Sequence, residues 1–200
     1  MQVRKLGIEG AFEFTPPVFN DRRGRFAAPY QGTAFSEHLG KPLFQVEQVS
    51  HNLSARGTLR GIHYTATPPG MAKYVYCPYG QVQDFLVDLR VGSPTFGKWA
   101  TTLLDADSCR ALYIPVGVGH AFLSMADDSM VVYLMSQGYV AENELALNPL
   151  DPAIGLPITA DIDIVQSDRD ADAPTLAEAR DSGLLPELKI AQKAEAALWQ

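Results

Sequence analysis

The sequence Leu59-Arg60-Gly61-Ile62-His63-Tyr64 places an arginine and a histidine in a short stretch of strand-forming residues. Side chains alternate between the two faces of a strand, so Arg60 and His63 are expected on opposite faces unless a bulge interrupts the strand. Turn-forming residues occupy positions 67–70, and Lys73 is expected to begin a second strand that returns beside His63. The stretch therefore predicts a β-hairpin with a histidine and a lysine at one end.

A histidine in this setting has two interpretations. A lone strand histidine is commonly a hydrogen-bonded structural residue, and an arginine or lysine beside it is commonly solvated. A cluster of titratable groups is also what a catalytic site requires. The stretch by itself leaves both interpretations of His63 open, and the rest of the chain decides between them.

From Phe44 onward, short apolar runs alternate with turn signals at regular intervals. The turns lie at residues 55–57, 68–70, 78–80, 92–94, 105–107 and 127–128. This spacing is typical of a β-sandwich or barrel, and the 16 glycines and 14 prolines suit a chain with many turns. We expect an all-β fold with its core at about residues 44–140, and one or two edge strands within residues 1–20.

Two stretches of sequence predict buried strands that can contribute side chains to a site. In residues 83–90 the side chains of Phe85, Val87 and Leu89 share one face, while the other face is mostly polar and can line a cavity. Residues 130–135 are apolar in both phases, as in a strand buried on both sides. Tyr133 then carries a buried phenol, which is either a hydrogen-bonded core residue or part of a site.

Helical patterns are confined to a few places. Residues 31–40 have loosely helical spacing and end in glycine. Thr175 to Glu178 is a capping-box sequence, and Gly183 is placed to end the helix that follows. Residues 188–199 form an amphipathic, alanine-rich candidate. We expect a short helical C-terminal segment at about residues 174–199.

Composition and charge limit the function classes. A chain of 200 residues can build one domain with a full core, so a single domain over residues 1–200 is expected. The net charge of -7 argues against a nucleic-acid partner. No apolar run resembles a signal peptide or membrane span, which predicts a cytoplasmic protein without a membrane partner. Cys77 and Cys109 are isolated, as expected of buried thiols.

Residues 115–120 have the spacing Pro-x-Gly-x-x-His, which resembles the second motif of cupin barrels. Metal-binding cupins supply further ligands from a His-x-His motif and a later glutamate. Here His63 stands at the corresponding place, Thr65 lies two residues on, and no glutamate occurs from 64 to 83. A stable metal site needs three or four converging ligands, so we expect a cupin-like jelly-roll barrel with no metal and no cofactor.

Nearly the whole chain is similar to the dTDP-4-dehydrorhamnose 3,5-epimerase family, whose members are cupin-fold nucleotide-sugar epimerases. The similar segments are Arg23-Gly24, residues 59–64, Lys73, residues 87–97, residues 115–120, Tyr133, Tyr139 and residues 167–170. Each segment is weak by itself, but their order and spacing are specific. Residues 63–65 and 73–77 most resemble the branch that serves deoxysugar and antibiotic biosynthesis.

The resemblance implies residues for each step of an epimerisation. A 4-keto sugar acidifies the protons on C3 and C5, so inversion needs a base on one ring face, a donor for the enolate oxygen and an acid on the other face. By resemblance, His63 is the base, with Asp170 orienting its imidazole. Lys73 stabilises the enolate, and Tyr133 returns a proton from the opposite face.

The resemblance also implies how the substrate, a dTDP-4-dehydro-6-deoxyhexose, is held. The implied contact residues are Arg23, Phe26, Gln48, Arg60, His120, Tyr139 and Arg169. Arg60 suits a forked phosphate contact, and Tyr139 matches an aromatic that stacks on thymine. In this family the N-terminal segment reaches into the partner subunit's site, so a homodimer is expected in which Arg23 and Phe26 contact the nucleotide in trans.

Departures from the family pattern leave the regiochemistry open. Ala28 stands where the family has Glu, Ser50 where it has Asn and Thr65 where it has Gln, and a usual tryptophan is missing between 147 and 156. Because Tyr133 is retained as the acid, we expect inversion at C5, with or without C3. The alternatives are a cupin 3,4-ketoisomerase, a nucleotide-sugar-binding module without catalysis, and a metal-dependent oxygenase, which would contain iron.

Overall fold

The computed structural model describes residues 1–159 and 161–200, and its main elements are antiparallel β-strands. The strands are β1 (Gln2–Lys5), β2 (Phe12–Thr15), β3 (Val18–Asp21), β4 (Gly24–Ala27), β5 (Gln48–Ser54), β6 (Leu59–Thr65), β7 (Lys73–Tyr79), β8 (Gln81–Asp88), β9 (Trp99–Asp105), β10 (Ala111–Ile114), β11 (Val118–Ser124), β12 (Ser129–Met135) and β13 (Glu144–Ala146). The prediction of an edge strand within residues 1–20 is confirmed by β1, which lies at the edge of its sheet, whereas β2 is paired on both sides, with β1 and β10.

Two sheets face each other across the core. One has the strand order β1-β2-β10-β7-β12-β5 and the other β13-β6-β11-β8-β9, while β3 and β4 form a separate hairpin. The crossovers between distant strands give a jelly-roll sandwich, which confirms the prediction of an all-β, cupin-like fold. Among the described residues the sheets remain separate and do not close into one continuous barrel.

The space between the sheets is filled by alternating apolar side chains from both. Val75 and Val131 of the first sheet pack with Val82, Leu86 and Phe122 of the second. Burying a side chain of this kind contributes about 1.5–3 kcal/mol. This packing holds the sheets together at one end of the sandwich and leaves room for a cleft where polar side chains replace the apolar ones.

Short helices cover the outside of the sandwich. They are α1 (Gly32–Leu39), α2 (Asp168–Ala171), α3 (Leu176–Asp181) and α4 (Leu188–Ala197). The predictions of α1, α3 and α4 are confirmed, including the capping box at Thr175 and the left-handed Gly183 after α3. The sequence patterns did not predict α2, which has four residues only and is capped by Ser167. None of the helices in the described part of the chain has the length and hydropathy needed to cross a membrane.

The strand β6 contains a bulge, the exception under which Arg60 and His63 are not expected on opposite faces. His63 pairs with His120 and Arg60 with Phe122, so β6 uses one residue more than β11 between these two pairs. The extra residue shifts the side chains that follow it to the other face of the strand. Arg60 and His63 therefore point to the same side of β6 and line the same cleft. Leu59, Ile62 and Tyr64 instead pack in one apolar cluster on the opposite side.

The predicted hairpin between β6 and β7 is wrong. Lys73 begins β7 as expected, but β7 pairs with β10 and β12, while β6 pairs with β11 and β13. The two strands belong to different sheets. His63 and Lys73 still meet, because they face each other across the cleft between the sheets.

Candidate active site

A polar cleft of about 230 Å³ lies between the two sheets. It is lined by Gln48, Ser50, Asn52, Arg60, His63, Lys73, His120, Phe122, Tyr133, Met135, Tyr139 and Glu144. These residues come from β5, β7 and β12 on one side and from β6 and β11 on the other, with Tyr139 and Glu144 from the segment after β12. The cleft thus brings together most of the residues that the family resemblance singled out.

His63 and Asp170 form a hydrogen-bonded pair at the cleft. The distance from His63 Nε2 to Asp170 Oδ1 is 2.7 Å, and the Gly61 N–H donates to Asp170 Oδ2 at 3.2 Å. The His63 side chain is 32% exposed and that of Asp170 only 4%. Burial opposes the charge of Asp170, but the bond and charge of His63 outweigh it and hold the pKa of Asp170 below its usual value. Asp170 thus orients the ring and leaves His63 Nδ1 for the cleft.

Lys73 supplies a cation from the opposite sheet. Burial lowers the pKa of the Lys73 ammonium, and the charge of Glu144 partly offsets this. Lys73 takes part in none of the ion pairs found among the described residues. Glu144 is held by Thr65, whose hydroxyl donates to Glu144 Oε1 at 2.9 Å. The ammonium of Lys73 is therefore a donor that is not ion-paired with any carboxylate in the described part of the chain.

Tyr133 stands on β12, in the sheet that faces His63. Asn52 Nδ2 donates a hydrogen bond to Tyr133 Oη at 2.8 Å. Burial raises the pKa of the Tyr133 phenol strongly, and the bond from Asn52 lowers it in part. At neutral pH the phenol is protonated, so Tyr133 can act as an acid on the face of a bound molecule that lies away from His63.

A second histidine–aspartate pair lies deeper than the first. His120 Nε2 is 2.7 Å from Asp84 Oδ2, and the two side chains are 5% and 0% exposed. Burial raises the pKa of Asp84, while the charge and hydrogen bond of His120 lower it. The His120 ring also lies edge-on to Tyr133, with 5.8 Å between the ring centroids. This pair forms the inner wall of the cleft.

Three further residues named from the sequence stand at the edge of the cleft. Arg60 Nε donates to Ser54 Oγ at 3.2 Å, which leaves the terminal guanidinium nitrogens for a ligand. Gln48 Oε1 accepts from the backbone N–H of Tyr139, whose ring is 57% exposed. Arg169 does not line the cleft, and its guanidinium donates to the Glu144 carbonyl at 2.8 Å.

Arg23 and Phe26 lie outside the cleft of their own chain. They belong to the β3–β4 hairpin, where Arg23 pairs with Asp21 and Phe26 is 68% exposed. Phe19, on the neighbouring strand, is 61% exposed. Within one chain the structure does not bring these residues to the other site residues.

Sequence reasoning missed three residues that shape the site. Asn52 was detectable from the sequence, because polar residues stand at every second position from Gln48 to Ser54 and so share one face of β5. Asp84 carried a weaker signal, since it lies on the polar face expected to line a cavity. Glu144 carried no signal in the sequence, because only the pairing of β13 with β6 brings it to the cleft.

Another cleft, of about 260 Å³, lies beneath α4 and is lined in part by Tyr113, Val116 and Glu195. In this cleft Glu195 accepts hydrogen bonds from the Tyr113 hydroxyl and from the Val116 N–H. Within the described residues, no group of three or more His, Cys, Asp or Glu side chains is arranged to hold a metal ion. His63, Lys73 and Tyr133 all line the polar cleft between the sheets and not this second cleft.

Comparison with known proteins shows which family the chain belongs to. Residues 5–178 match the model of the family described as dTDP-4-dehydrorhamnose 3,5-epimerase. The chain belongs to this family of isomerases. The resemblance inferred from the sequence motifs is thereby confirmed.

Curated members of the family include epimerases of two kinds. A dTDP-4-dehydro-6-deoxyglucose 3-epimerase from a Streptomyces species is 47% identical over 192 residues, which cover 96% of this chain and 97% of the relative. A dTDP-4-dehydrorhamnose 3,5-epimerase from Mycolicibacterium smegmatis is 46% identical over 186 residues, covering 93% and 91%. Both kinds are similar to this chain over nearly its whole length.

A solved structure of a family member resembles this fold closely. It is a double mutant of a 3′-monoepimerase from Streptomyces bikiniensis in complex with dTDP, with a TM-score of 0.92, 45% identity and 97% of each chain covered. In that mutant one histidine is replaced by asparagine and one tyrosine by phenylalanine. The number of sequence positions between the two replaced residues equals the number between His63 and Tyr133 in this chain.

Proposed function

We propose that this protein is an epimerase of a dTDP-4-dehydro-6-deoxyhexose, which inverts a ring carbon next to the 4-keto group. The observation that carries the proposal is the arrangement of His63 and Tyr133 on opposite sheets of one cleft, with Asp170 bonded to His63. A base and an acid on opposite sides of a bound ring can remove a proton from one face and return one to the other. The family relatives, all named as epimerases of related sugars, support the same conclusion.

Each residue has a stated role in the proposed reaction. His63 Nδ1 removes the proton at the carbon beside the ketone, because Nε2 is occupied by Asp170. Lys73 donates to the oxygen that becomes negative in the enolate, for which a single well-placed donor contributes about 3–4 kcal/mol. Tyr133 then gives its phenolic proton to the opposite face of that carbon. The phenolate regains a proton, and His63 loses one, before the next turnover.

The proposed substrate contacts follow from the positions of the remaining polar groups. Arg60 and His120 are proposed to bind the sugar and the diphosphate, because both line the cleft beside the reacting groups. Tyr139 is proposed to stack on the thymine base, which its exposed ring permits. Gln48 and Arg169 are proposed to hold the mouth of the cleft through their bonds to the segment that carries Tyr139 and Glu144.

The proposal includes a homodimer in which the hairpin of one subunit completes the site of the other. Arg23 and Phe26 of the hairpin are exposed and lie outside the cleft of their own chain. The exposed phenylalanines Phe19 and Phe26 of this hairpin suit contact with a second surface.

We also propose that residues 1–200 act as one domain, since Asp170 of the C-terminal segment bonds to His63 of β6. The expected cytoplasmic location belongs to the same proposal. The free thiols Cys77 and Cys109 suit a reducing compartment.

The reaction is tested by incubating the protein with dTDP-4-dehydro-6-deoxyglucose in D2O and following the ring carbons by NMR. An epimerase incorporates deuterium at C3, C5 or both and yields the inverted sugar. A binding module incorporates none, and a 3,4-ketoisomerase moves the keto group to C3. If no exchange occurs with this sugar or with 2-deoxy and 3-amino analogues, the proposed function is wrong.

The same spectra decide the regiochemistry. The expectation of C5 inversion, with or without C3, rests on the retained Tyr133. A tyrosine was also present in the 3′-monoepimerase before its replacement by phenylalanine, so a retained tyrosine does not by itself select C5. Inversion at C5 therefore stays a prediction, and deuterium at C3 alone would contradict it.

Metal independence also stays a prediction. Treatment with a chelator is expected to leave the exchange rate unchanged. Loss of activity that returns on adding a divalent metal would instead support a metal-dependent cupin enzyme.

A further inference from the structure

The strand β5 presents a continuous polar face to the interior. Ser54 is buried, and Ser50 and Asn52 are partly buried. Val49 and Leu53 on the other face of the strand are 62% and 52% exposed. Polar side chains turned toward an interior need hydrogen-bond partners. For Asn52 and Ser54 these partners are residues of the proposed site itself.

A chain of three hydrogen bonds runs from Arg60 to Tyr133 through this face. Arg60 Nε lies 3.2 Å from Ser54 Oγ, Ser54 Oγ lies 3.3 Å from Asn52 Oδ1, and Asn52 Nδ2 lies 2.8 Å from Tyr133 Oη. Ser54 is 2% exposed, so water contributes little to its bonding. The chain therefore connects a permanent cation to the proposed acid.

The direction of every bond in this chain follows from Arg60. A guanidinium can only donate, so Ser54 Oγ accepts from it and uses its own proton toward Asn52. Asn52 must then turn its carbonyl oxygen to Ser54 and its amide nitrogen to Tyr133. The Tyr133 oxygen is thus an acceptor of the amide bond, and its own proton is free for another partner in the cleft.

We propose that Asn52 and Ser54 are positioning residues for the acid Tyr133. Asn52 turns the phenolic proton toward the substrate and donates to the phenolate oxygen that forms when this proton is transferred, and Ser54 holds the Asn52 amide in the orientation that this requires. The inference rests on the proposed function, because it assigns a means of control to the same site. The positive charge of Arg60 at one end of this series of hydrogen bonds polarises each bond, and this polarisation stabilises the negative charge of the Tyr133 phenolate at the other end.

The enolate can be reprotonated by two routes, and the proposed role of Asn52 and Ser54 affects only one of them. After His63 removes the proton, the enolate is reprotonated either by His63 on the original face, which gives exchange without inversion, or by Tyr133 on the other face, which gives the epimer. A weaker acid slows the second route only. The ratio of epimer formed to hydrogen exchanged therefore reports on Tyr133 and on the residues that position it.

The sharpest variant is Asn52→Asp, because it keeps the size of the side chain and replaces the donor by an acceptor. Hydrogen exchange into the substrate is expected to stay within a few-fold of wild type, while the ratio of epimer to exchange falls about tenfold or more, as expected for the loss of one bond to a charged oxygen. The matched control is His51→Asp, which places the same charge on the exposed face of the strand. An Asn52→Asp variant with the wild-type ratio would overturn the proposal.

Ser54 gives a second, independent pair of variants. Ser54→Ala breaks the chain and is expected to lower the same ratio, whereas Ser54→Thr keeps the hydroxyl and is expected to restore it. A residue with a merely structural role would lower exchange and inversion together. Equal ratios in the alanine and threonine variants would contradict the proposed role of Ser54.

A measurement without substrate keeps the inference separate from the proposed function. The Tyr133 ring carbon that bears the oxygen can be labelled with carbon-13, assigned by its absence in Tyr133→Phe, and observed by NMR at neutral pH. Asn52→Asp is expected to shift this resonance, because the phenol oxygen loses the hydrogen bond that the Asn52 amide donates. His51→Asp, on the exposed face of the strand, is expected to leave it unchanged. An unchanged resonance in Asn52→Asp would refute the proposed role of Asn52 even if the wild type proved to act on a different sugar.

Discussion

His63 and His120 show how exposure assigns different tasks to similar groups. Each imidazole is 2.7 Å from a carboxylate, through the same ring nitrogen. The His63 side chain is 32% exposed, whereas that of His120 is 5% exposed and its partner Asp84 is fully buried. A proton can therefore leave His63 for solvent, while transfer from the inner pair has no comparable route. This difference favours His63 as the base.

Replacement of His63 tests the assignment of the base. His63→Ala is expected to reduce exchange of the substrate's carbon-bound hydrogen by about 10²–10⁴-fold, because the other cleft histidine, His120, is only 5% exposed and is paired with the buried Asp84. The exchange is measured by NMR in D2O, with circular dichroism to confirm folding. His38→Ala, in α1 and outside the cleft, is the matched control. Wild-type exchange in His63→Ala would remove His63 from this role.

Asp170→Asn is expected to slow exchange less than His63→Ala. The variant loses the charge that holds the His63 ring but leaves the imidazole in place. The same NMR experiment compares the two. Damage equal to or greater than that of His63→Ala would indicate that Asp170 is itself the base.

At the scale of elements, the bulge in β6 depends on Gly61. Its φ is 110°, and a Cβ at this position would lie 2.5 Å from the His120 carbonyl oxygen and 2.7 Å from Ala121 Cα. Gly61→Ala is therefore expected to lower the free energy of unfolding by about 1–3 kcal/mol or more, measured by urea denaturation. Gly7→Ala is the control, since no atom lies within 4 Å of its added Cβ. Equal stabilities of the two variants would show that the bulge tolerates a side chain.

The loop after β8 is held by a buried carboxylate. Asp88 accepts hydrogen bonds from Arg90, Ser93 and Thr95. Burial opposes its charge, but these bonds and the charge of Arg90 outweigh it and lower the pKa of Asp88. The motif at residues 88–97, noted in the sequence for its family resemblance, thus has a structural task.

Asp88→Asn tests this task through its pH dependence. At pH 7 the variant is expected to be less stable by about 3–5 kcal/mol, because Arg90 stays buried without its partner. A carboxylate with a lowered pKa stabilises the fold above its unfolded pKa of about 4, and this contribution disappears as the pH falls through the folded value. The difference between wild type and variant should therefore shrink in acid. A difference that stays constant from pH 7 to pH 3 would contradict the account.

At the scale of the whole molecule, the hairpin tests the proposed dimer. Arg23→Ala is expected to raise KM about tenfold with little change in kcat, because a remote contact binds substrate and transition state equally. In a mixture of Arg23→Ala and His63→Ala chains, contact in trans creates heterodimers with one complete site. Activity at low substrate concentration should then exceed that of either variant alone. Each variant, exchanged with itself under the same conditions, is the control, and no recovery would place the contact elsewhere.

The strand pattern and the family motifs could be recognised because their signals are local. Turn residues recur at regular intervals, Thr175 and Glu178 lie within one helical turn, and His63, Lys73 and Tyr133 stand in short motifs. Asn52 could have been found in the same way, from the alternation along β5. Glu144 could not, because only the pairing of β13 with β6 brings it to the cleft.

The sequence by itself determined which chemical groups are available, the all-β class and the ends of the helices, since these follow from side-chain periodicity and local hydrogen bonding. The tertiary structure decided which groups meet. The bulge at Gly61 turns Arg60 and His63 to one side, the separation of β6 and β7 into different sheets sets Lys73 opposite His63, and α2 brings Asp170 against His63. The physical reason is that register and sheet membership depend on contacts between distant residues, and these contacts leave no periodic signal along the chain.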